Sequence, residues 1–201
     1  MKHTVDDGFL GDALGGTCRF NISLFNAPDK RFPYNWFADG SAGVSAVRNN
    51  GSHALYLLMH LFGPVAELVA DDSRILRQWV FPDGDIIVPE TNDFANVILK
   101  FESGLTMQMQ ISWSMPLHDG FLIDVFGAKA RMVAKSPTFP TARDCTLEAG
   151  QLGAELAQVH APVDGLGRAP GGDLQPVHAR QRAEHLHRQA LGEPAVLRRI
   201  A

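Results

Sequence analysis

Leu105-Thr106-Met107-Gln108-Met109-Gln110-Ile111-Ser112-Trp113 alternates without a break, large apolar side chains at the odd positions and hydroxyls or amides at the even ones. A period of two sends the two sets to opposite faces of a strand, so this segment has one buried face and one open face. A half-buried strand needs half-buried partners, and the neighbouring sequence supplies them. Upstream, Phe94 to Phe101 alternates in the same way and is joined to the first stretch by the short loop Glu102-Ser103-Gly104, which predicts a hairpin. Ile75 to Phe81 also reads as a strand. Downstream, Phe121 to Phe126 and Arg131 to Ala134 make a second hairpin around Gly127-Ala128-Lys129, and Thr17 to Phe25 alternates near the N-terminus. Short turns between successive strands imply antiparallel pairing. The expected fold is therefore α+β: a mainly antiparallel open sheet with helices packed on one face. Its other face, rich in Thr, Gln, Asn and Ser, meets either water or another subunit.

Between the first and later strands lies an irregular segment rich in proline and aromatics, Asn26 to Gly43, followed by one long helical pattern that ends at Gly63-Pro64. Asn49, His53, Tyr56 and His60 recur at i, i+4, i+7 and i+11, which at about 100° per residue confines them to one stripe. Val47, Ala54, Leu58, Leu61 and Phe62 fall on the opposite side. A solvated helix face is usually built from Lys, Glu and Arg. This stripe instead carries an amide, two imidazoles and a phenol, groups that exchange hydrogen bonds and, for histidine, protons near neutral pH. Two readings stay open at this point, a solvated or loop-satisfying face and the wall of a polar pocket. Gly51 favours the second, since glycine inside a helix costs about 1 kcal/mol relative to alanine and its presence points to close approach of another backbone or a ligand. His53 and His60 lie two turns apart, about 10 Å along the axis, too far to share one ion. No metal site is assigned.

The chain has 201 residues, enough for one ordinary domain or one domain with a tail; 45% are hydrophobic and 20% charged, as in globular proteins. A formal charge of −4, with Lys and Arg scattered, argues against nucleic acid as a partner. There is no apolar run of about 18 residues for a membrane span and no signal-peptide pattern, so a cytoplasmic protein with no membrane partner is expected. Cys18 and Cys145 are too few and too far apart for a disulfide framework, and Cys18, alternating with Phe20, Ile22 and Leu24, is expected to pack as a small buried hydrophobe. Residues 1–150 are read as one domain. From Gln151 to Ala201 there are no aromatic residues and no Met, Cys, Lys, Asn, Ser or Thr, whereas His160, His178, His185 and His187 make up half of all the histidines. Such a tail is a poor candidate for a core-forming domain. Its His178 to His187 stretch reads as a surface helix or a weak metal-binding tract, and the tail as a whole as poorly ordered or an out-of-frame extension.

Gly43, Asn49-Asn50-Gly51-Ser52-His53 and the apolar helix after them resemble the signature of the glucose-fructose oxidoreductase and inositol dehydrogenase (Gfo/Idh/MocA) family, C-terminal domain. Asp6-Asp7-Gly8-Phe9-Leu10-Gly11, Tyr34-Asn35-Trp36-Phe37-Ala38-Asp39 and Asp124-Val125-Phe126-Gly127-Ala128-Lys129-Ala130 are similar to other ordered features of that domain, so the resemblance covers about residues 2–150. It implies an N-terminal Rossmann domain that binds NAD or NADP and carries a catalytic lysine, joined to a sheet domain that shapes the substrate pocket and commonly forms the oligomer interface. No Gly-x-Gly-x-x-Gly opens a strand-to-helix turn here, Gly165 to Pro170 departs from it, and the Glu-Lys-Pro segment is missing. The expectation is thus a fold without a Rossmann domain that binds no cofactor alone and performs no hydride transfer unaided.

By position His53 inherits the role of general acid and base. Asn49 stands where an aspartate is usual, and Tyr56 replaces another residue that is often Asp. Trp36, Tyr34, Tyr56 and His118 are the candidate substrate contacts; Trp36 either stacks on a sugar face or anchors its loop onto the sheet, and His118 is either a contact or a solvent-exposed turn residue. Two function classes follow: the substrate-binding and oligomerisation half of a sugar or polyol oxidoreductase, partnered by a second copy through the sheet face and by a separate Rossmann-domain chain, or a non-catalytic binding or oligomerisation protein derived from it.

Overall fold

The computed structural model describes residues 1–29, 32, 34–140 and 144–159; the histidine-rich stretch from His160 onward lies outside them, as does Gly165 to Pro170. The elements named below belong to the unit Met1–His160.

The stretch that alternates so strictly is strand β6 (Thr106–Ser112), with Met107, Met109 and Ile111 buried and Thr106 and Gln108 exposed. Its antiparallel neighbour β5 (Phe94–Phe101) sets Val97 opposite Met109 and Leu99 opposite Met107, so the apolar rows coincide. On its other side β6 runs parallel to β1 (Ala13–Asn21), Cys18 facing Met109 and Phe20 facing Ile111. The chain leaves β1, makes α2 (Tyr34–Ala38) and α3 (Ser52–Phe62), and returns at the far edge as β2 (Val65–Ser73). It then fills inward through β5 and β6. From there it crosses β1 and continues outward as β7 (Gly120–Gly127), β8 (Ala130–Ser136), β9 (Thr146–Gln151) and β10 (Ala157–Gln158). The sheet order is β10-β9-β8-β7-β1-β6-β5-β2, and every pairing except β1 with β6 is antiparallel. The architecture is α+β with a mostly antiparallel sheet. Two further strands, β3 (Trp79–Val80) and β4 (Ile86–Ile87), form a separate small hairpin, and a five-residue helix α1 (Lys2–Asp6) precedes β1.

Two expected boundaries are corrected. The first strand spans Ala13–Asn21, not residues 17–25, because Gly15 and Gly16 belong to it: a Cβ at Gly16 would lie 2.5 Å from the Asp124 carbonyl oxygen, so the lack of a side chain is what admits β7 there. Of Ile75 to Phe81, only Trp79–Val80 is strand. The buried Asp93 carboxylate accepts the N–H groups of Ile75 at 2.6 Å and Leu76 at 3.0 Å, and a ladder partner cannot compete with a carboxylate that takes both.

Ala54, Leu58 and Leu61 of α3 are buried in one cluster with Cys18, Phe20, Met107, Ile111, Ile123 and Met132 of the sheet. Burying each large side chain contributes about 1.5–3 kcal/mol. A second focus lies at Phe25, whose ring stacks on Trp79 at 4.0 Å and 11° and meets Trp113 edge-on at 5.2 Å and Tyr34 at 5.7 Å. Those contacts tie the irregular segment after β1 and the β3–β4 hairpin to the sheet.

Cys18 is buried as expected, and desolvation pushes its thiol up from 9.0 to about 12. Reactivity follows the thiolate, so a thiol-reactive disulfide reagent at mildly alkaline pH is expected to modify Cys145 alone in the native chain and Cys18 only in denaturant. Two thiols reacting in the native state would contradict this packing. The sign of the pH linkage follows. The folded thiol keeps its proton above the point where the unfolded one releases it, so stability from this group is intact below pH 9 and is lost as pH rises towards 12.

On the opposite face, Val69, Ile98, Gln108, Thr17, Asp124, Val133 and Glu148 form one register row across seven strands. Amides link strands here: Asn21 Nδ2 donates to Gln110 Oε1 at 3.0 Å, and Gln110 Nε2 donates to Asn96 Oδ1 at 3.2 Å. Arg131 grips Asp124 with two hydrogen bonds, while Val69, Ile98 and Phe126 are exposed. Among the described residues no helix is long and apolar enough to cross a membrane.

Candidate functional site

The helix that carries the polar stripe opens as a π-helical turn, Val47–Gly51, and continues as α3. Ser45 caps it: its Oγ accepts from the Arg48 N–H at 3.2 Å, and its own N–H donates to Asn49 Oδ1 at 3.3 Å, a reciprocal pairing of the capping-box kind. The Asn49 oxygen is thereby turned to the helix start, leaving its amide nitrogen as the group able to donate. The wider π turn folds Asn50 inward to 6% exposure, its Nδ2 without a hydrogen-bond partner among the described residues. π turns of this kind recur at functional sites. Gly51 is explained by packing on the sheet: a Cβ there would stand 3.0 Å from Val47 Cγ2 and 3.5 Å from Ile111 Cγ1.

His53, Tyr56 and His60 all emerge on the exposed side, Tyr56 at 74% exposure, with Asn49 half-buried at the upper end. The stripe therefore exists as a surface of the helix, opposite Ala54, Leu58 and Leu61. His53 has no hydrogen-bond partner among the described residues; its ring instead packs edge-to-face on Phe139, centroids 5.8 Å apart at 84°. That contact comes from the segment after β8, which carries no periodic signal in the sequence. No group of three metal-ligating side chains occurs among the described residues.

The other candidates lie apart from the stripe. Tyr34 is buried, and its hydroxyl accepts the Asp29 N–H at 2.5 Å. Trp36 is 49% exposed and packs on Phe37. Both line a cleft of about 670 Å³, together with Phe32, Asn35, Phe81, Asp85, Ile86 and Ile87, to which no stripe residue contributes. A cleft of that size suits a small ligand. His118 stands in the turn before β7, beside Leu117, whose left-handed backbone (φ 52°) leaves its side chain fully exposed, and beside Asp119, which pairs with Arg19 at 2.8 Å. Among the described residues no hydrogen bond or ring contact joins His118 to α3, and its Nδ1 is buried without a partner.

Comparison with protein-family models matches residues 1–133 to the GFO/IDH/MocA C-terminal domain. The chain belongs to the GFO/IDH/MocA family. Gly43 and Asn49 to His53 lie within the matched stretch, and the His53 ring is exposed. Three solved structures share the fold of this GFO/IDH/MocA domain. An NAD binding oxidoreductase from Klebsiella pneumoniae is 21% identical, with TM-score 0.65 over 79% of this chain and 42% of that one. Levoglucosan dehydrogenase in its apo form is 15% identical, with TM-score 0.68 over 85% and 49%. The transcriptional regulator Gal80p from Kluyveromyces lactis is 16% identical, with TM-score 0.66 over 81% and 41%. The chain thus spans less than half the length of each. Comparison with curated proteins gives no match.

Proposed function

We propose that this chain is the substrate-binding and oligomer-forming half of an NAD(P)-dependent oxidoreductase acting on a sugar, polyol or related hydroxy compound. The observation that carries the reading is the face of α3, which presents His53 and Tyr56 to solvent with Asn49 at their head. His53 takes or gives the proton of a substrate hydroxyl, the Asn49 amide donates to a substrate oxygen or the imidazole, and the Tyr56 hydroxyl orients the ligand. The described residues form no strand, glycine turn and helix unit of the kind that cradles a dinucleotide pyrophosphate. In this reading the nucleotide is held by another polypeptide segment, and no step through it is assigned to these residues. The amide-rich sheet face, with Val69, Ile98 and Phe126 exposed, is where two copies pair.

The test is amide and side-chain NMR of the chain titrated with a panel of aldoses, polyols and hydroxy acids. Shifts centred on Asn49, His53 and Tyr56, abolished by His53→Ala, are expected. Shifts confined to Tyr34–Trp36 and Phe81–Ile87 would transfer the site to the 670 Å³ cleft and defeat the assignment. A second reading, a non-catalytic binding or oligomerisation protein, is favoured by the carboxylate-free stripe and by the fold shared with a transcriptional regulator. Under that reading His53→Ala leaves ligand binding and assembly unchanged.

A further inference from the structure

We propose that Phe139 is the positioning residue of the His53 ring, an inference that rests on the role given above to His53. The imidazole is exposed and makes no hydrogen bond among the described residues, so nothing polar there fixes its two side-chain torsions. A general base must nevertheless be held within hydrogen-bond reach of the proton it moves. Among the described residues the ring packed against it is Phe139, edge-to-face at 5.8 Å and 84°. Aromatic pairs in this geometry resist rotation of either ring out of contact.

Phe139 is itself anchored from two sides. Its ring meets Phe20 edge-on at 5.0 Å and 83°, and Phe20, fully buried in β1, meets Phe121 of β7 at 5.5 Å and 84°. Its carbonyl oxygen accepts from the buried Ser136 Oγ at 2.6 Å, which pins the turn as it leaves β8. A chain of four rings therefore runs from the exposed histidine into the sheet. Phe139 remains 44% exposed.

The test uses the full chain, with Phe139→Leu to remove the ring while keeping apolar volume and Phe139→Tyr to keep it. In the wild type, cross-relaxation between the His53 and Phe139 ring protons is expected, with the His53 imidazole resonances displaced by the neighbouring ring current. Phe139→Leu is expected to abolish that displacement and to average the His53 rotamers, Phe139→Tyr to preserve both, and His60 and His118 to stay unmoved as internal references. The polyol that shifts His53 in the wild type is expected to bind Phe139→Leu about threefold to tenfold more weakly. No cross-relaxation in the wild type, or His53 resonances unchanged in a folded Phe139→Leu, would overturn the positioning role. If the resonances move while polyol affinity does not, Phe139 positions His53 but the function proposed for His53 fails. If Phe139→Leu does not fold, the wild-type cross-relaxation alone decides.

Discussion

Phe25→Ala is expected to lower the stability of the chain by about 3–5 kcal/mol, read as a fall in the urea midpoint with the slope of the transition unchanged. Phe25 is 1% exposed and sits at the meeting point of three parts of the chain. Its stacked partner Trp79 belongs to β3; its edge-on partners Phe32 and Tyr34 belong to the irregular segment and the start of α2; Trp113 follows β6. Removing the ring leaves a cavity that no single neighbour can fill, because each is held by the others. It also releases the contacts that tie the β3–β4 hairpin and the 670 Å³ cleft to the sheet. Phe25→Leu retains most of the volume and is expected to lose about half as much. A loss below about 1 kcal/mol for the alanine variant would mean that the aromatic cluster is not the joint between these segments.

Gly120→Ala is the second large effect, expected at about 3 kcal/mol or more. Gly120 begins β7 with φ at +77°, a backbone that an L side chain rarely adopts. A Cβ there would stand 2.3 Å from the Pro137 carbonyl oxygen and 2.4 Å from that of Ser136, both main-chain atoms that cannot rotate aside. Gly104→Ala provides the control: its φ is +90°, yet nothing lies within 4 Å of the added carbon, so it costs only the backbone strain of about 1–2 kcal/mol. The difference between the two variants measures the overlap alone. Because the obstructed carbonyls lead directly into Phe139, Gly120→Ala should also disturb the His53 ring, which Gly104→Ala should not. Equal melting shifts for the two variants would contradict the close approach of β7 to the turn after β8.

The elements legible in advance were those whose side chains alternate between a packed face and an open face. β6, β5 and the β7–β8 hairpin bury every second residue over most of their length, and the burial is printed in the sequence. β2 escaped notice because it is an edge strand with little to pack against: Leu68 and Val69, on opposite faces, are both exposed, so no contrast between faces was selected. β9 mixes Thr146, Leu147, Glu148 and Ala149 near the other edge for the same reason. Ile75 to Gln78 belongs to a stretch that alternates but forms no strand there, since the N–H groups of Ile75 and Leu76 are taken by Asp93 from 18 and 17 residues away. At the site, Gly51 favoured a pocket wall, yet His53, Tyr56 and His60 are exposed and Gly51 packs toward Val47 and Ile111; only their sharing of one face followed from α-helical spacing. The burial of Asn50 did not, because a π turn adds a residue and changes the phase, and no composition announces it. Phe139 was invisible for a different reason: it reaches His53 from a distant turn without periodicity, and only the pairing of β7 with β8 brings it there.

In the function proposed, these residues bind a hydroxylated substrate through the α3 stripe while the nicotinamide nucleotide is held elsewhere. Isothermal titration of one preparation of the purified chain, first with the polyol selected by NMR and then with NADH and NADPH, tests it most directly. The expected result is a polyol heat weakened about tenfold or more in affinity by His53→Ala, and no heat from either nucleotide. Micromolar nucleotide binding, or polyol binding indifferent to His53→Ala, would contradict it.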